Sequence, residues 1–147
     1  MNRRTSSLLL SASLLLSAAG TAHAALPAEA TLYMNPECGC CHEYARQLEE
    51  KGVSVTIIDD VEVGKIKQQV GLPFGLGSCH TTLMGDYAIE GHVPFEAVER
   101  LFQERPRIGG IGLAGMPIGT PGMPGPKRGD WDVYQFTDQE PMPFMTL

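Results

Sequence analysis

Cys38, Cys40 and Cys41 fall within four consecutive positions, and His42 follows at once. Taken as a C-x-x-C pair, Cys38 and Cys41 share one face of a helix beginning there. As a pair they can serve as the nucleophile and resolving thiol of a thiol–disulfide oxidoreductase. Cys40 sits roughly 100° round that helix from Cys41, and a plain dithiol has no use for it. A cluster of soft metal ions does. Thiolates suit Cu(I), zinc and iron–sulfur, and imidazole suits copper and zinc. A structural zinc usually takes its cysteines as two separated pairs, which adjacent Cys40 and Cys41 fit poorly. Several copper ions bridged by shared thiolates use crowded sulfur better.

The elements that must position these residues are legible as patterns. Thr31–Met34 reads as a short strand ended by Asn35-Pro36, and Tyr44, Ala45 and Leu48 continue a helical stripe from Cys41 that closes near Gly52. Residues 53–58 alternate as a β-branched strand. Asp59-Asp60 offers an N-cap to a second helix carrying Val63, Ile66 and Val70, closed by Gly71. Thr81–Met84 and Tyr87–Ile89 form a hairpin about Gly85-Asp86, and Pro94 opens a third helix running to about Gln103. The order β-α-β-α-β-β-α predicts an α/β, thioredoxin-like domain over 25–104. A third strand antiparallel to the first starts beside the cysteines, and the fourth exits there again. The topology therefore draws Cys79, His80 and His92 towards Cys38, Cys40 and Cys41.

The rest is a Gly/Pro/Met-rich C-terminal extension, 105–147, packed on the same domain. Gly115-Met116-Pro117 recurs as Gly122-Met123-Pro124. Residues 105–129 read as loop with no strand or helix, and Trp131–Phe136 as a late edge strand. Gly110–Gly115 satisfies G-x-G-x-x-G, but no strand precedes it and Pro117 blocks a following helix, so a dinucleotide site is excluded. The doubled Gly-Met-Pro is expected to cover the site without giving its main ligands. Met34 reads first as a core residue and Met116 and Met123 as loop packing, with thioether ligation of copper as the alternative.

Residues 1–24 have the form of a secretory signal: Arg3-Arg4, an apolar run from Leu8 to Ala19, and Ala22-His23-Ala24 before the cut. The run is too short to span a membrane, so the mature chain is expected to be periplasmic, without a membrane span. It then carries 9 basic against 17 acidic residues, which argues against nucleic acid and suits a cationic ligand. In an oxidising compartment four cysteines usually make two structural disulfides, but three crowded beside a histidine are unlike a loop-stapling framework.

Four motifs in order carry a family resemblance: Met34-Asn35-Pro36 with Cys38-Gly39-Cys40-Cys41, Ser78-Cys79-His80-Thr81, Glu90-Gly91-His92-Val93-Pro94, and the Gly-Met-Pro repeat. Together they resemble the CopG-like periplasmic proteins. The resemblance implies a thioredoxin-like fold, copper as the bound metal (several ions) and a role in copper resistance. Its metal ligands fall on Cys38, Cys40, Cys41 and Cys79, with His42, His80 and His92 as candidates to complete or tune the site. Such a site suggests interconversion of Cu(I) and Cu(II), with other periplasmic copper-handling or electron-transfer proteins as partners. Thioredoxins carry a cis-proline just before the third strand, where this chain has Cys79 and His80. That departure favours a metal site over a disulfide exchanger.

Overall fold

The structure is a computed structural model and describes residues 25–137 and 140–147; the expected signal peptide lies outside the described residues. Alternation along β1 (Glu29–Met34) buries Ala30, Leu32 and Met34 on one side. This strand delivers the chain to helix α1 (Gly39–Glu50), which buries Cys41, Tyr44, Ala45 and Leu48, the i, i+3, i+4, i+7 stripe. Then come β2 (Ser54–Ile58), α2 (Val63–Gln69), the hairpin β3 (His80–Met84) and β4 (Tyr87–Glu90), and α3 (Phe95–Glu104). Three further strands follow: β5 (Gly110–Gly112), β6 (Asp132–Phe136) and β7 (Met142–Thr146). All seven strands join one sheet in the order β2-β1-β3-β4-β5-β6-β7.

Pairing decides where the loops meet. β1 is parallel to β2 and antiparallel to β3, with Met34 opposite His80. The two-residue turn Gly85-Asp86 sets Thr81 opposite Glu90. One face of the sheet packs Leu32, Met34, Met84, Ile89 and Ile111 against Tyr44 and Leu48 of α1 and Val98, Leu101 and Phe102 of α3. Neighbouring residues on a strand face opposite ways. Leu83 and Ala88 accordingly join Leu76, Phe136, Val70 and Leu72 on the other face. Each large side chain fully buried this way stabilises the fold by roughly 1.5–3 kcal/mol. No helix among the described residues is long and apolar enough to cross a membrane.

Three expectations need correction. The N-cap of α2 is Glu62, with no side-chain cap bond, and Asp59-Asp60 precedes it as an irregular link from β2. The stretch 105–129 does contain a strand: β5 runs parallel to β4 and pairs with β6 on its other side. Its glycines hid it, and Gly110 is required, because a Cβ there would stand 1.9 Å from the Ala88 carbonyl oxygen. Strand β6 is an interior strand, since the tail containing Met142 and Met145 pairs beyond it as β7.

Candidate metal centre

The chain leaves β1 through a turn in which Cys38 N–H donates to the Asn35 carbonyl at 3.0 Å. Cys38 then sits at the N-cap of α1 without a side-chain cap bond, and its carbonyl accepts from Cys41 N–H and His42 N–H. The sulfurs are thereby held at the helix end whose dipole favours a negative charge. The Met34–His80 register places Cys79 just past the same end of β1, and the hairpin returns Gly91 and His92 beside it, Gly91 N–H donating to the His80 carbonyl at 3.0 Å.

The four Sγ atoms of Cys38, Cys40, Cys41 and Cys79 all lie within 4.8 Å of one another. Cys38 and Cys41 are joined as a disulfide, and Cys40 and Cys79 are free thiols. Cys79 is the hub. Its Sγ is 3.4 Å from Cys41 Sγ, 3.9 Å from Cys40 Sγ, 3.5 Å from His80 Nδ1 and 3.0 Å from His92 Nε2. Cys79, His80 and His92 form a second group of mutually close donors. Two thiolates on one ion, each with a bond of about 2.3 Å, stand about 3.8 Å apart. The sulfur separations fit bound soft metal once the disulfide is reduced to give four thiols.

His80 and His92 are both fully buried. Tyr44 packs under them, its ring centroid 4.7 Å from that of His80 and 5.7 Å from that of His92, with its hydroxyl donating to the Val93 carbonyl at 3.1 Å. Burial, then the neighbouring His92 and Lys67, holds His80 well below the usual histidine range. Burial likewise lowers His92, partly offset by its bond to the Pro121 carbonyl. Both are therefore neutral imidazoles, the metal-binding form. Burial first, and next the Cys40 thiol, pushes Cys79 up to about 11. Cys79 is thus a thiol without metal, and would release a proton on ligation.

His42 is not brought in: it is exposed and belongs to neither donor group. One residue beyond buried Cys41, it is turned about 100° away from the sulfurs. Met34 is fully buried in the main core cluster, and Met116 is half exposed.

The two Gly-Met-Pro copies have different surroundings. Around the first, Gly115 N–H donates to the Gly77 carbonyl at 3.3 Å and the Gly115 carbonyl accepts from the Ser78 hydroxyl. At the second, Thr120–Met123 forms a strap over the first turn of α1, closed by Met123 N–H to the Thr120 carbonyl at 2.8 Å. The Pro121 carbonyl accepts from His92 Nδ1 at 2.7 Å. Gly122 has φ +81°, and a Cβ there would lie 2.5 Å from the Cys40 carbonyl oxygen and 3.0 Å from His92 Nδ1. Only glycine lets the strap come this close.

Glu90 was visible within its motif but had no assigned role. It is fully buried, and its carboxylate accepts from Ser78 N–H at 2.6 Å, from the Thr81 hydroxyl at 2.6 Å and from Lys67 Nζ. It therefore fixes the chain on either side of Cys79 and His80. The available signal was a lone acid ending an otherwise apolar strand.

A family model described as a protein of unknown function, DUF411, matches residues 76–123, the span that holds Cys79, His80, His92 and the strap. Two solved structures, both named copper resistance protein CopG and distinguished as form 1 and form 2, are each 30% identical to the chain. Each match covers 82% of this chain and 98% of that one, with TM-scores of 0.74 and 0.75. No curated protein matches the chain in sequence.

Proposed function

The chain belongs to the CopG-like copper-resistance family, and from that premise we propose that it is a periplasmic protein holding copper as cargo at the cysteine centre. In the reduced form Cys38, Cys40, Cys41 and Cys79 supply thiolates to several Cu(I) ions, and His80 and His92 complete the site. The observation that carries this reading is the closeness of four sulfurs from two distant segments, all within 4.8 Å. Shared thiolates can bridge ions at such separations, and soft sulfur favours Cu(I). Imidazole also suits Cu(II), so the mixed set supports interconversion of the two states, with an electron-transfer partner giving or taking the electron. The signal-like N-terminus, though outside the described residues, supports export. The order β-α-β-α-β-β-α over 25–104 supports the thioredoxin-like reading of that span, with 105–147 as an extension packed on it.

Anaerobic titration of the reduced mature chain with Cu(I) tests this reading. More than one tightly held ion per chain is expected. Cys79→Ser, which puts a hydroxyl at the hub, should fold normally and lose affinity at least about tenfold, or 1.4 kcal/mol. Unaltered copper number and affinity in that variant would refute it. The Cys38–Cys41 disulfide favours a second reading, a thiol–disulfide oxidoreductase. In that case the wild type binds no copper and Cys79→Ser keeps its reductase activity.

A further inference from the structure

Closing the Cys38–Cys41 disulfide removes two of the four sulfurs from metal binding, yet it leaves the second donor group whole. Cys79 Sγ stands 3.5 Å from His80 Nδ1 and 3.0 Å from His92 Nε2. Donors sharing one ion through bonds of about 2.0–2.3 Å lie about 3.3–3.8 Å apart. These spacings therefore need only tenths of an ångström of adjustment.

A further feature points to a ligand here. A carbonyl can only accept, so the Pro121 contact at 2.7 Å requires the His92 proton to be on Nδ1. The lone pair is then on Nε2, aimed at Cys79. Metal-binding histidines are typically oriented by this kind of bond from the other ring nitrogen. His80 is 0% exposed and presents Nδ1, the ring nitrogen nearer the backbone, to Cys79.

We propose that Cys79, His80 and His92 form a mononuclear copper site that persists in the disulfide form, so the Cys38–Cys41 redox state sets how many ions the chain holds. The inference rests on the copper reading above. One thiolate with two imidazoles is also the donor set of copper sites that cycle between Cu(I) and Cu(II). The oxidised protein would thus keep one redox-competent ion after the bridged cluster is lost.

The experiment uses the mature chain oxidised to the Cys38–Cys41 disulfide, with two free thiols verified per chain. It is titrated anaerobically with Cu(I) held by a competing chelator, and the histidine ring resonances are followed by NMR. The expected result is one ion per chain, shifts in the His80 and His92 rings, and at least a tenfold loss of affinity in both Cys79→Ser and His92→Gln. Oxidised protein that binds no copper, or binds it without moving either ring, overturns the inference. Should His92→Gln fail to fold, the ring shifts in the unmutated protein still decide. The fully reduced protein run alongside separates the two ideas. Several ions when reduced and none when oxidised sinks this proposal alone, whereas none in either state sinks the copper reading itself.

Discussion

Alanine at position 122 tests the strap with the smallest possible change. The added Cβ would stand 2.5 Å from the Cys40 carbonyl oxygen and 3.0 Å from the backbone nitrogen of Tyr44. Neither neighbour can yield, because both belong to the first turns of α1. The strap must retreat by about 1 Å to restore ordinary contact, and the 2.7 Å bond between Pro121 and His92 cannot survive that retreat. Alanine also pays roughly 1–2 kcal/mol for the left-handed backbone at φ +81°. The lost hydrogen bond adds about 0.5–1.5 kcal/mol. Gly122→Ala should therefore destabilise the metal-free protein by about 2–3 kcal/mol, or roughly 10 °C in Tm. Urea and thermal unfolding measure it, and transfer of Cu(I) to a chelator should be faster in the same variant. Stability within about 0.5 kcal/mol of the wild type, together with unchanged transfer, would refute the account of the strap as a close-packed cover.

Two further outcomes follow from neighbouring contacts. Glu90→Ala leaves Lys67, Thr81 and the Ser78 amide without their shared acceptor. Breaking a buried charge pair costs about 3–5 kcal/mol, so chemical denaturation should register at least about 3 kcal/mol; a loss below about 1 kcal/mol would mean the network is not structural. Replacing Met116 and Met123 together with leucine should alter the rate of copper exchange more than the number of ions bound. Losing half or more of the bound copper would make those thioethers primary ligands.

The convergence of Cys79, His80 and His92 on the helix end was legible because few registers were available. Gly85-Asp86 leaves a two-residue turn little freedom, and an antiparallel β3 must start where β1 ends. Apolar period also gave α1 and α3, with α3 opening one residue later than expected because Pro94 serves as its N-cap. What stayed hidden has no period. Strand β5 is three residues long and two are glycine, so neither alternation nor β-propensity marks it. The strap is irregular backbone whose value lies in a carbonyl and a missing Cβ, and neither is a side-chain signal. His42 was over-read because adjacency in sequence is not adjacency on a helix.

The donors come from segments around 38–41, 79–80 and 92, and the strap that orients one of them from around 121. An unfolded chain presents these donors only as separate local segments, with nothing holding one segment against another. The complete centre exists only after the β1–β3 pairing, the β3–β4 hairpin and the docking of the strap have all been made. The first and the last of these are contacts distant in sequence, and their loops must close before any ligand rewards them. On the copper reading proposed above, completion of the centre would therefore be a late event in the life of the chain, and a fully loaded centre would certify that folding has finished.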